Sequence, residues 1–174
     1  VLGSRGLGDV YKRQSNFNPA LYGEIARRVE TPLATGERFH TRWGFEQLLK
    51  QGAISVIQPD ITNCGGLSEA KKICDMSHTY DCAAQIHVCG SPISKAAALQ
   101  IEAAIPNFII HEHHQRALSP AMRETCLYDY QPVNGKYKVP DLPGLGQELT
   151  PETIKKCEIV TVSYTHLTLP TIRL

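Results

Sequence analysis

The chain has 174 residues, of which 42% are hydrophobic, 20% charged and 7% aromatic, a balance suited to one globular domain and not to a disordered or fibrous chain. Eighteen basic against seventeen acidic residues leave a formal charge of +1 with no basic block, so charge gives no support to nucleic-acid or anionic-membrane binding. No apolar run approaches the roughly 18 residues of a membrane-spanning helix.

Asn18-Pro19 is a helix-start pair, and Leu21, Ile25 and Val29 recur at helical spacing, which predicts a first helix running to about Val29. Thr31 to Glu37 is a strand candidate, followed by a helix from about Arg42 to Lys50 that Gly52 closes. A second strand, Ile54 to Asp60, leads through the Gly65-Gly66 turn to a helix over about Leu67 to Thr79. Cys82 to His87 makes a third strand, and Pro92 to Ile105 an alanine-rich helix that Pro106 stops. Phe108 to Glu112 is the fourth strand; beyond it come a loop-rich tail and a short helix from Pro151. Strand and helix alternate strictly and the strands are apolar runs, as in a parallel sheet buried on both faces.

Six cysteines (Cys64, Cys74, Cys82, Cys89, Cys126, Cys157) form no CxxC pair, and several lie in apolar periodic segments. They read as reduced, small buried side chains in a cytoplasmic protein. Trp43 and Phe45, on the helix after Glu37, read as helix-packing or lip residues.

The two ends break the pattern. Ser4 to Gln14 reads SRGLGDVYKRQ and Val162 to Thr171 reads VSYTHLTLPT, with no periodicity that continues into their neighbours. Both resemble translations of the transposase adapter used in shotgun sequencing libraries, since GATGTGTATAAGAGACAG encodes DVYKRQ. Residues 1–14 and 162–174 are therefore expected to be adapter-derived and non-native, leaving a natural frame of about 15–161. Without Arg5, Lys12, Arg13, Arg173 and Asp9, the charge of the remainder falls from +1 to −2.

Each predicted strand ends in a polar, ionisable residue: Glu37, Asp60, His87 and Glu112, separated by 23, 27 and 25 residues. Singly, each is an ordinary surface carboxylate or a satisfied histidine. At one βα-unit spacing after four apolar strands, they are placed to converge at the C-terminal mouth of a barrel. The HEHH run (His111 to His114), with His87, Cys89 and Cys64, suggests zinc. Strand alternation argues against it, because His111 and His113 then face away from Glu112 and no pair has finger-like spacing. Gly144-Leu145-Gly146 follows no strand and reads as a turn, not a phosphate loop.

At these residues the chain resembles the mandelate racemase and sugar-acid dehydratase branch of the enolase superfamily. ATGER (Ala34–Arg38), IQPDITNCGG (Ile57–Gly66), HVCGSPIS (His87–Ser94) and PGLGQEL (Pro143–Leu149) carry the likeness in order and spacing. The resemblance implies the C-terminal half of a (β/α)8 barrel, strands five to eight, over 15–115, plus a loop-rich C-terminal return segment over 116–161. A sheet edge should then stand open where strands one to four belong. By the same resemblance Glu37 is the last of three carboxylate ligands to Mg²⁺, the other two belonging to a missing N-terminal part. His87 matches the histidine acid/base, Asp60 its hydrogen-bonded partner, and Glu112 the carboxyl that hydrogen-bonds the substrate carboxylate. To donate there, Glu112 must carry its proton.

The implied reaction is removal of the proton alpha to a carboxylate and elimination of water, giving a 2-keto-3-deoxy sugar acid. A racemase or epimerase, or a catalytically weak binding or regulatory relative, is the alternative. A histidine on a missing strand would favour dehydration and a lysine pair racemisation. The parent enzyme is expected to take a small sugar-acid substrate and to form homo-oligomers, and the fragment alone to be inactive. Asn63-Cys64 stands where family members often have His-Ala, and His87-Val88-Cys89-Gly90-Ser91-Pro92 where they often have HCPLGP. Both departures bear on the substrate more than on the fold.

Overall fold

The computed structural model describes residues 18–158; the two segments read as adapter-derived lie outside the described residues. Three parallel strands, β1 (Ala34–Thr35), β2 (Val56–Ile57) and β3 (Ala83–Ala84), stand side by side in chain order. Ala34 pairs with Val56 and Thr35 with Ile57, and these pair in turn with Ala83 and Ala84. A fourth position follows as a single parallel bridge, Ala84 to Phe108. Helices α2 (Thr41–Leu49), α3 (Ile61–Cys64), α4 (Leu67–His78) and α5 (Pro92–Ala104) fill the connections, so each strand leads into a helix and back to a parallel neighbour. That is half the strand-and-helix cycle of an eight-fold barrel.

The strands are much shorter than the apolar runs that predict them, and in the first two runs prolines limit the ladder. Pro32 and Pro59 offer no N–H to a ladder. The buried Pro59 still accepts from His87 N at 3.1 Å, so the β2–β3 pairing resumes beyond it as a bridge between Asp60 and His87. At the other edge, the predicted strand Phe108–Glu112 pairs only through Asn107 and Ile109 to Ala84, at 2.8 and 3.2 Å. Its outer side meets no strand among the described residues, and Phe108, Ile109 and Ile110 are exposed there. Among the described residues this edge stands open, as expected.

The helices form where capping and periodicity place them. Asn18 Oδ1 accepts from Ala20 N at the start of α1 (Ala20–Ala26), which ends three residues before Val29, although Val29 still packs on the core. Ser91 caps α5 and Pro92 opens it, and the helix stops just before Ile105-Pro106. The core lies between sheet and helices, with Phe45, Leu48, Ile57, Ile73 and Ile86 all at 0% exposure. Each such side chain contributes about 1.5–3 kcal/mol by leaving water. Of the two aromatics on α2, Phe45 is a core residue packed on Phe39 with ring centroids 5.8 Å apart, whereas Trp43 faces outward at 65% exposure. Cys64, Cys74 and Cys82 pack as small apolar side chains, and burial pushes their thiols up to about 11, 12 and 11.

After Glu112 the chain folds back along α5. Cys126 and Leu149 form an antiparallel bridge, and the Gln147 amide spans Tyr128, accepting from its N and donating to its O. Gln100 on α5 donates to Pro140 O at 2.9 Å, and Tyr130 Oη donates to Gly146 O at 2.5 Å. The short helices α6 (Pro120–Arg123) and α7 (Pro151–Lys156) lie in this segment.

Candidate active site

Glu37, Asp60, His87 and Glu112 leave the C-terminal ends of successive strand positions, and the structure brings all four together around one imidazole. His87 Nδ1 lies 2.7 Å from Asp60 Oδ2. Its other nitrogen, Nε2, lies 3.3 Å from Glu37 Oε2 and 3.9 Å from Glu112 Oε2. Glu112 Oε2 also accepts from the backbone N–H of Val88 at 2.8 Å.

Local sequence explains each placement. Asp60 lies just past β2 as the N-cap of α3, so its backbone stays extended while its side chain reaches two ways. Oδ1 accepts from Thr62 N at 2.7 Å and Thr62 Oγ1 at 2.5 Å, leaving Oδ2 for His87. Gly65, at φ +119, then closes the single turn of α3. Directly after β1, Gly36 stands before Glu37 at φ +151, and a Cβ there would sit 2.7 Å from Gln58 N. Only a residue without a side chain lets the chain pass this close to β2 and deliver Glu37 to the mouth. Asn63 Nδ2 reaches Glu37 O at 3.4 Å and His40 Nδ1 meets Asn63 O at 2.9 Å, tying this turn to α3.

The charges fit the distances. Burial alone would raise the Asp60 carboxyl, but hydrogen bonds from His87 and Thr62 outweigh it and hold it below the usual aspartate range. Burial would likewise pull the His87 imidazole down. The Asp60 hydrogen bond and the nearby Glu112 and Glu37 carboxylates outweigh that and raise it. A histidine held this way keeps Nδ1 as the donor to Asp60 and presents Nε2 to the open side of the cluster.

The HEHH run separates by alternation. Glu112 faces His87, while His111 turns to Glu102 on α5 at 2.7 Å and His113 meets Tyr137 Oη. Among the described residues no group of three or more His, Cys, Asp or Glu is spaced to hold a metal ion. Sequence reading passed over Thr62, Gly36 and the Val88 N–H. The Asp60-Ile61-Thr62 pattern before a double glycine is a capping signature that could have marked Thr62, whereas the Gly36 contact with Gln58 crosses strands and leaves no local mark.

A parallel α/β half-barrel with a histidine–carboxylate cluster at its strand ends has the arrangement found at the C-terminal face of (β/α)8 barrels. The family model for the enolase C-terminal domain-like fold matches residues 15–153. A solved enolase-superfamily member from Salmonella Typhimurium is 56% identical with a TM-score of 0.83, over 86% of this chain and 38% of that one. A protein provisionally named a dehydratase, from Zymomonas mobilis ZM4, is 48% identical with a TM-score of 0.80, over 82% and 36%. A mandelate racemase/muconate lactonizing enzyme from a Sulfitobacter species is 30% identical with a TM-score of 0.73, over 78% and 34%. The chain belongs to the enolase superfamily, among its mandelate racemase/muconate lactonizing enzyme members. It spans a little over a third of the length of these relatives.

Proposed function

We propose that the chain is the C-terminal part of a Mg²⁺-dependent sugar-acid dehydratase, a hydro-lyase that forms a 2-keto-3-deoxy acid. The observation that carries the reading is the imidazole of His87, fixed by Asp60 at 2.7 Å and turned with Nε2 toward Glu37 and Glu112.

In this reading His87 Nε2 moves the proton at the carbon alpha to the substrate carboxylate. Asp60 stabilises the imidazolium that results and keeps the ring from rotating. Glu112, on the Nε2 side of the imidazole, would hydrogen-bond the substrate carboxylate. The Val88 N–H anchors its other contact and so sets where the carboxyl lies. The cluster is mostly enclosed, with 12–18% of the Asp60, His87 and Glu112 side chains exposed, so these charges act through a medium of low dielectric.

Glu37 is a hard-oxygen donor on the open side of the cluster, as a Mg²⁺ ligand must be, but it is one carboxylate and the described residues complete no metal site. When bound, Mg²⁺ supplies the positive charge that stabilises the electron-rich product of proton removal. The other two ligands would come from outside this chain, as would the second acid/base.

The test is a chimera joining residues 18–158 to the N-terminal part of the 56%-identical Salmonella relative, incubated with Mg²⁺ and a panel of aldonic acids. Release of a 2-keto-3-deoxy acid from at least one of them is expected. Failure with every acid, by a folded chimera, would sink the dehydratase reading.

A further inference from the structure

Next to Glu112, a cleft opens between the N-terminus of α5 and the return segment, lined by Val88, Ser91, Lys95, Arg116 and Tyr130. Its charges do not balance. Arg123 is paired with Asp129 at 2.5 Å, and Glu112 is held by the Val88 N–H and faces His87. Lys95 and Arg116 remain, and among the described residues neither has a carboxylate within ion-pair distance.

Lys95 is the unusual one. Only 5% of it is exposed, yet its ammonium makes one hydrogen bond, to Tyr130 O at 3.0 Å, and lies 6.0 Å from the Tyr137 ring. A buried ammonium is costly unless an anion faces it. Burial pulls it below the ordinary lysine range, with Asp129 offsetting part of that and Arg123 adding to it. Arg116, also on the cleft lining, is exposed in the turn Gln115–Leu118, where the backbone N–H of Arg116 is held by His114 Nδ1. The cleft also lies where barrel enzymes often seat phosphate, between the loops that follow the seventh and eighth strands, and the N-terminal end of α5 adds its positive pole.

We infer that this cleft is an oxyanion subsite, in which a phosphate or carboxylate group sits between the Lys95 ammonium and the Arg116 guanidinium. A fork-shaped guanidinium and a buried point charge are complementary to such a group. The inference needs no bound metal and no turnover, so it stands or falls separately from the dehydratase reading. Because the cleft shares Glu112 and Val88 with the histidine cluster, its occupant is either a separate small anion or the far end of a doubly charged substrate.

The test is calorimetric titration of the 174-residue chain, in low-chloride buffer, with inorganic phosphate, gluconate and glucarate. Saturable phosphate binding is expected, weakened at least about fivefold by Arg116→Gln and unchanged by Lys136→Gln, an exposed lysine outside the cleft lining. Lys95→Met should abolish it; if that variant fails to fold, the exposed Arg116 decides alone. Glucarate binding more tightly than both phosphate and gluconate assigns the subsite to a second substrate carboxylate. Phosphate binding most tightly assigns it to a phosphate. No saturable binding of phosphate or glucarate, or binding that Arg116→Gln leaves intact, overturns the inference.

Discussion

Asp60 supports two structures with its two oxygens, and replacing it separates them. Oδ1 caps α3 through Thr62 N and Oδ2 holds His87 Nδ1, both at 2.7 Å. An N-cap hydrogen bond contributes about 1 kcal/mol, and a hydrogen bond to an ionised group about 1.5–3 kcal/mol. Asp60→Ala loses both and leaves a buried imidazole N–H without an acceptor, so it should cost about 3–4 kcal/mol. Asp60→Asn has one oxygen. If that oxygen keeps the cap, its amide N–H₂ faces His87 Nδ1 and the loss should be about 1.5–3 kcal/mol. The amide would also force the imidazole proton onto Nε2, the nitrogen that faces the substrate side, by the logic that makes an oriented histidine fail when its aspartate becomes asparagine.

Urea unfolding of the 174-residue chain and its two variants, from pH 3 to 7, measures this. The native Asp60 carboxyl is held below its ordinary range. Its contribution is therefore fully present above the unfolded value of about 3.9 and is lost as pH falls through the lower folded value. Asp60→Asn should flatten that acid limb. Equal midpoints for all three proteins, or an unchanged acid limb in Asp60→Asn, would refute the two-oxygen account.

Three further outcomes follow from the same structure. Gly36→Ala places a Cβ 2.7 Å from Gln58 N at φ +151 and should cost about 2–3 kcal/mol in urea unfolding. Gly52→Ala, with nothing within 4 Å of its Cβ and φ +61, should lose only the roughly 1–2 kcal/mol of left-handed strain. Phe45→Ala, at 0% exposure, should cost about 3–5 kcal/mol, whereas Trp43→Ala, at 65%, should stay within about 0.5 kcal/mol; similar losses would contradict the core assignment. Burial raises the Glu102 carboxyl despite its hydrogen bond from His111. Its contribution is thus fully present below the unfolded value of about 4.3 and fades as pH rises through the higher folded value. Glu102→Gln should remove that fall, and parallel pH–stability curves for the two proteins would contradict it.

The alternation of apolar runs with helical periods is enough to read a parallel α/β unit, because a strand buried on both faces has no polar side to show. Ladder length is not readable in the same way: apolarity reports burial, while Pro32 and Pro59 remove the donors that would extend β1 and β2. The convergence of Glu37, Asp60, His87 and Glu112 is visible as a spacing, since one βα unit returns the chain to the same end of the sheet. What those residues do to one another is not visible there. The division of the Asp60 oxygens depends on the single turn of α3, which is too short to show a period, and the approach of Glu37 depends on a backbone contact between Gly36 and Gln58. The oxyanion cleft was equally hidden, because Lys95 in an alanine-rich helix looks like a solvated charge until the return segment is seen to cover it.

The central claim is that His87 moves the alpha proton of a carboxylate substrate. The most direct measurement is solvent-deuterium incorporation that follows loss of the C2 proton, at C3 of the 2-keto-3-deoxy product and at C2 of any aldonic acid returned unreacted by the Mg²⁺-loaded chimera, read by proton NMR with and without His87→Asn. The account predicts incorporation by the parent chimera and its loss by at least about a hundredfold in His87→Asn. Incorporation that survives the substitution would contradict it.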